Sequence, residues 1–127
     1  MYSIVEEARQ RFSENGLDRT GAIKATIGYG HVGDGNLHLN VVAKQWDPKV
    51  EKALEPWLYE ATQKRHGSIS AEHGLGLMKA PYLGYSKPDE AIDVMRGIKN
   101  LFDPRNILSP YKYLPSRQPH KHMGAHV

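Results

Sequence analysis

The 127-residue chain contains no cysteine, which excludes disulfides and thiolate metal sites and leaves imidazole and carboxylate as its strong protein ligands for a metal. That suits a reducing compartment. It has no run of about 18 apolar residues, so no segment reads as a membrane span. The first twenty residues carry Glu6, Glu7, Glu14 and Asp18 and lack an apolar block, so they resemble neither a secretory signal nor an acid-poor organellar presequence. The formal charge of +3 is uneven. From Lys112 onward there are Lys112, Arg117 and Lys121 and no acid, so the rest of the chain is balanced. The basic character belongs to a tail and does not describe a nucleic-acid surface. The length suits one ordinary domain with a real core and is short for a complete cofactor enzyme.

What the chain does contain is concentrated between Tyr29 and Asn40, where His31 and His38 flank a glycine-rich bend. Val32-Gly33-Asp34-Gly35-Asn36 holds residues that accept positive φ at low steric cost, so the segment predicts a hairpin. The expected strands are 22 to 30 and the return through Ala43. After the bend polarity alternates, which puts His38 and Asn40 on one face of a buried strand and Leu37, Leu39 and Val41 on the other.

Elsewhere, Ile4, Val5, Ala8 and Phe12 form one stripe of a helix over residues 2 to 15, with Glu6, Glu7, Arg9 and Arg11 facing water and Asn15-Gly16 ending it. Asp47-Pro48 opens a second helix carrying Val50, Ala53, Leu54, Trp57, Leu58 and Ala61, bent or begun late at Pro56 and ended by His66-Gly67. Residues 67 to 76 read as a short extended piece running into glycines. Ser86-Lys87-Pro88 opens a third helix, with Ile92, Met95, Ile98 and Phe102 directed inward and Asp103-Pro104 closing it. An ordered loop is expected to Pro115 and a mobile tail beyond it. The predicted class is α+β, an antiparallel sheet with helices packed on it.

A catalytic zinc site commonly uses three His, Glu or Asp ligands and leaves a fourth position open. His31, His38 and Glu72 supply such a set, although two histidines at this spacing also suit a plain polar hairpin. The same residue types hold non-haem Fe(II), so a free-standing iron oxygenase is a rival. His73, facing away from Glu72 in an extended segment, could meet a substrate as a base or be a structural histidine. Asn40 could donate to a substrate carboxylate or be a strand-end polar residue. Gly74-Leu75-Gly76 with Lys79 lacks the spacing of a phosphate loop. His66 is accounted for by a helix C-terminus, and His120, His122 and His126, in a tail without fixed geometry, are expected to form no site beyond adventitious metal affinity.

Gly30-His31-Val32-Gly33-Asp34-Gly35-Asn36-Leu37-His38-Leu39-Asn40 and Ser70-Ala71-Glu72-His73-Gly74-Leu75-Gly76 together resemble the C-terminal domain of the FAD-linked D-2-hydroxyacid dehydrogenases. Leu83 to Pro88 and Tyr111 to Pro115 resemble the D-2-hydroxyglutarate branch, which is mitochondrial in eukaryotes. The likeness covers residues 1 to 116, taken as one domain incomplete at its N-terminal side, with 117 to 127 a disordered basic tail. It implies zinc ligation by His31, His38 and Glu72, substrate contacts from Asn40 and His73, and His73 as the catalytic base. It implies oxidation of a D-2-hydroxy acid, such as D-2-hydroxyglutarate, to the 2-oxo acid with hydride transfer to FAD. The family's FAD-binding domain, a necessary partner, and its upstream basic residues are missing here, so the expectation is an inactive C-terminal fragment. Ser109-Pro110 stands where relatives often carry Asn-Pro, and no flavin contact is assigned to it. The other rival is a metal-binding or interaction module that has lost its flavin partner.

Overall fold

The computed structural model describes residues 2–116. The tail expected over 117–127, with His120, His122 and His126, lies outside the described residues. The elements in chain order are α1 (Tyr2–Glu14), β1 (Ile23–His31), β2 (Asn36–Ala43), α2 (Pro48–Leu54), α3 (Trp57–Gln63), a 3-10 turn (Ala80–Tyr85) and α4 (Asp89–Phe102). They divide into two compact units that meet between His73 and Gly74.

In the first unit, Ile4, Val5, Ala8 and Phe12 are all buried, as their helical spacing predicts. Gly16 ends the helix at φ +68°, and Leu17 N–H returns to the Phe12 carbonyl at 2.9 Å. Ala8, Phe12 and Leu17 pack with Val50 and Ala53 of α2, and Leu39, Val41 and Trp57 close the edge of that core. The arginines of α1 do more than face water. Arg9 donates to the Thr26 carbonyl at 2.8 Å, and Arg11 donates to the Ala53 carbonyl while its guanidinium lies 5.8 Å from the Trp57 ring centroid. Glu7 accepts from Arg65. These head groups tie α1 to its neighbours.

The sheet is a single antiparallel hairpin, β1 against β2, with Tyr29 opposite His38 and His31 opposite Asn36. The hairpin agrees with the expected bounds, but β2 is half-buried along most of its length, because two strands cannot enclose one of their number. The strands touch where glycine permits it. A Cβ on Gly28 would run into Val5, and one on Gly30 into the Asn36 carbonyl.

The helix expected to run through Pro56 is two helices. α2 is N-capped by Asp47, whose carboxylate accepts from Lys49 N–H at 2.8 Å, and ends at Leu54; α3 begins at Trp57, after a cis Glu55–Pro56 bond. Pro56 offers no N–H to continue the ladder and its ring excludes the preceding turn. α3 stops at Gln63, three residues short of His66, which sits in a closing turn at φ +53°.

Residues 69–72 form a turn, with a bend at His73, in place of the expected extended piece. Ala71 takes φ +46°, and His73 N–H donates to the Ser70 carbonyl at 2.8 Å.

In the second unit, Leu75, Ala80, Leu83 and Ile92 are buried. α4 agrees with the expected helix and is closed by Asp103, whose N–H reaches the Lys99 carbonyl. Its inward stripe does not hold throughout: Ile98 is 55% and Phe102 77% exposed. Periodicity marks these positions as one apolar face, but nothing in the described residues covers its C-terminal half. The loop after α4 is anchored by the Asp103 carboxylate, which accepts from Ile107 N–H at 3.0 Å, from Leu108 N–H at 2.9 Å and from the Lys99 ammonium.

Candidate metal centre

The hairpin brings His31 and His38 onto one side because His31 ends β1 and His38 lies two residues into β2, across from Tyr29. The turn at 69–72 returns the chain to this hairpin and presents Glu72. Its carboxylate stands between the two imidazoles, with Oε2 3.1 Å from His31 Nδ1 and Oε1 3.2 Å from His38 Nε2. One ligand-capable atom from each of the three residues lies within 4.8 Å of the others.

His38 is the most enclosed of the three. Its ring stacks on Tyr29 with centroids 5.2 Å apart and planes 6° from parallel, which fixes the direction of Nε2. His31 and Glu72 are more open to solvent, leaving a free side.

His73 joins this group. Its Nε2 lies 3.4 Å from Glu72 Oε1 and its ring centroid 6.0 Å from that of His38. The expectation that neighbouring residues 72 and 73 would face opposite ways assumed extended backbone; the positive φ at Ala71 and the turn around it place both side chains on the same side. Asn40 shares the strand face of His38 by alternation but is exposed, opposite Ile27.

Two neighbours were not singled out from sequence. Tyr29 supports His38, and Asn36 donates from Nδ2 to Glu72 Oε2 at 2.5 Å. The signal for Asn36 was available, since the alternation that links His38 to Asn40 reaches Asn36 one step earlier.

Two imidazoles and a carboxylate are a donor set that suits a divalent metal in residue type. Around a tetrahedral zinc with bonds of about 2.0–2.2 Å, ligand atoms are separated by roughly 3.3–3.5 Å. The imidazole–carboxylate distances of 3.1 and 3.2 Å run to different oxygens of Glu72, and one donor atom from each residue lies within 4.8 Å of the others, a set that closes to this spacing by small side-chain rotations. The alternative is purely protein hydrogen bonding, each imidazole donating an N–H to an acceptor-only carboxylate.

Residues 1–113 match the family model described as FAD linked oxidases, C-terminal domain. The chain belongs to this family. A putative mitochondrial D-lactate dehydrogenase of Schizosaccharomyces pombe is 51% identical over 117 residues, covering 90% of this chain and 22% of the relative. A mitochondrial D-2-hydroxyglutarate dehydrogenase of Bos taurus is 48% identical over 116 residues, covering 91% of this chain and 20% of the relative. A D-2-hydroxyglutarate–pyruvate transhydrogenase of Saccharomyces cerevisiae is 43% identical over 116 residues, covering 90% and 23%. The chain therefore spans about a fifth of the length of these curated relatives. An α+β fold of helices and an antiparallel hairpin is the architecture this FAD-linked family member adopts.

The second unit holds a cleft of about 510 Å³ lined by Arg96, Lys99 and Lys112 among others. Arg96 is paired with Asp93 and Lys99 with Asp103, so most of its positive charge is already balanced. Among the described residues, no helix is long and apolar enough to cross a membrane.

Proposed function

We propose that this chain supplies the zinc- and substrate-binding part of an FAD-dependent D-2-hydroxyacid dehydrogenase acting in mitochondria, with D-2-hydroxyglutarate as its substrate. Residues 1–116 act as the family's C-terminal domain, and FAD is held mainly by a region outside this chain. The observation that carries the reading is the convergence of His31 Nδ1 and His38 Nε2 on the Glu72 carboxylate in a member of an FAD-linked oxidase family. Support for mitochondria and for the substrate comes from the names of the relatives, among which D-2-hydroxyglutarate recurs.

His31, His38 and Glu72 would hold the metal, which supplies Lewis-acid polarisation of oxygen ligands, while FAD supplies the two-electron sink. The chain's own residues then have distinct tasks. His73, beside the ligand set and open to solvent, accepts the proton of the substrate α-hydroxyl at a ring nitrogen. Asn40 donates its amide N–H to a substrate carboxylate from the same strand face as His38. The two histidines and the glutamate fix where the hydroxy acid head group sits relative to His73. With FAD held by the rest of the protein, the α-hydrogen would leave as hydride and the 2-oxo acid would result.

The test has two parts. Elemental analysis of the purified chain should give about one zinc per chain, lost in folded His31→Ala, His38→Ala and Glu72→Ala variants. Mixing with a separately expressed, folded flavin domain should then restore bleaching of the flavin by D-2-hydroxyglutarate, abolished by His73→Ala. Zinc without bleaching would leave a metal-binding module and sink the dehydrogenase reading. Turnover with Fe(II), oxygen and a 2-oxo acid in the absence of flavin would replace it with the oxygenase.

A further inference from the structure

Asn36 opens β2 and is 8% exposed, the most enclosed polar side chain beside the metal-ligand set. Its position is over-determined. Its N–H donates to Asp34 Oδ1 at 3.2 Å, it lies in register with His31, and its carbonyl fills the space where a Cβ on Gly30 would be. From there Nδ2 donates to Glu72 Oε2 at 2.5 Å, a contact spanning the chain between the hairpin and the 69–72 turn. The amide orientation follows from chemistry: turned the other way, Asn36 would oppose its oxygen to an acceptor-only carboxylate.

The other half of the amide makes the case. Asn36 Oδ1 is buried without a hydrogen-bond partner. A buried acceptor left unmade is costly, and an apolar residue of the same size would remove that cost. The fold therefore carries a polar group that is half unsatisfied, and what it gains is a fixed N–H on Glu72. An amide nitrogen differs from the neighbouring imidazoles in one respect. His31, His38 and His73 can each present either an N–H or a lone pair to their surroundings, whereas Asn36 Nδ2 only donates. It occupies an Oε2 lone pair permanently and so sets the rotation of the carboxylate between the two histidines.

We propose that Asn36 is a positioning residue for the metal centre, acting through Glu72. This rests on the metal-binding reading above and adds to it a residue that never touches the ion. Partners of this kind hold a ligand at its working angle and typically change metal affinity by about 10- to 100-fold when removed.

The test measures zinc affinity of the full 127-residue chain by competition with a chromogenic chelator. Asn36→Leu and Asn36→Ala are compared with wild type, each alone and combined with Glu72→Ala. The expected result is zinc binding weaker by about 10- to 100-fold in Asn36→Leu, with metal-free thermal unfolding at or above the wild-type temperature. In the Glu72→Ala background the same substitution should change the residual affinity by less than about twofold, because the two side chains act as one unit. Cobalt(II) loading gives a second readout, with an altered visible spectrum in Asn36→Leu reporting a reoriented carboxylate. Wild-type affinity in either folded variant overturns the proposal, as does an undiminished loss in the Glu72→Ala background. Failure of both variants to fold without metal makes Asn36 structural and overturns it as well. A wild-type chain with no zinc affinity removes the metal reading itself, whereas retained affinity in the variants removes only the role of Asn36.

Discussion

At the scale of single residues, the candidate centre depends on which groups can turn and which cannot. His38 is held by the face of Tyr29, so the phenol ring matters there as a flat surface. Tyr29→Phe is expected to leave zinc affinity within about twofold. Tyr29→Ala should weaken it by roughly two- to thirteenfold, the equivalent of an aromatic pair worth about 0.5–1.5 kcal/mol. Isothermal titration of both variants separates the ring from its hydroxyl. Asp103 makes a different kind of prediction. The Lys99 ammonium holds its carboxyl below the usual aspartate range, the N–H groups of Leu108 and Ile107 add to this, and burial opposes it. A carboxyl depressed in the folded state contributes stability that is present above the unfolded aspartate value, near 3.9, and is lost as pH falls through the lower folded value. Asp103→Asn should therefore melt at a lower temperature than wild type at pH 7. The gap between them should close as melts are repeated below about pH 4.

At the scale of elements, the hairpin is the part that must not slip, because a one-residue shift would send His38 to the opposite face. Gly30→Ala forces a Cβ into the Asn36 backbone, which cannot give as a flexible side chain can. The substitution should cost about 1–3 kcal/mol, as overpacking does, and reduce zinc content together with stability. Phe12→Ala, emptying the centre of the first unit, should cost about 3–5 kcal/mol in chemical denaturation. These elements were also the most legible in the sequence. The bend at 32–36, the stripe of α1 and the cap at Asp47 are local patterns whose physics is complete within a few residues. The segment at 68–74 was misjudged because its turn depends on Ala71 at positive φ, a conformation that alanine does not advertise. The ligand set His31, His38 and Glu72 could be suggested from residue types, and its convergence needed the turn that sequence reasoning had drawn as extended. Asn36 escaped because an asparagine beside glycine in a bend is already explained by the turn.

At the scale of the whole molecule, the second unit presents apolar side chains without cover. Ile98, Leu101 and Phe102 of α4 and Ile107, Leu108 and Tyr111 of the following loop are all exposed. Exposed apolar side chains in this number promote association where they adjoin. The isolated chain should therefore self-associate with rising concentration in sedimentation velocity. Leu101→Lys combined with Phe102→Glu should shift it toward monomer while leaving zinc content of the first unit unchanged. A wild type that stays monomeric would show that this surface is too broken to drive association.

The bond between Asn36 and Glu72 joins positions 36 apart, and the contacts of Glu72 with His31 and His38 are as distant in sequence, whereas the two histidines and Asn36 share one hairpin. This separation sets an order of assembly. The hairpin closes over a few residues, on the microsecond scale typical of such units, and orients His31 and His38 early. Bringing Glu72 to them closes a longer loop that includes α2 and α3, at an entropic cost that grows with its length. In the proposed metal centre the two imidazoles would therefore be in place first, and the carboxylate would complete the set once the longer loop has closed.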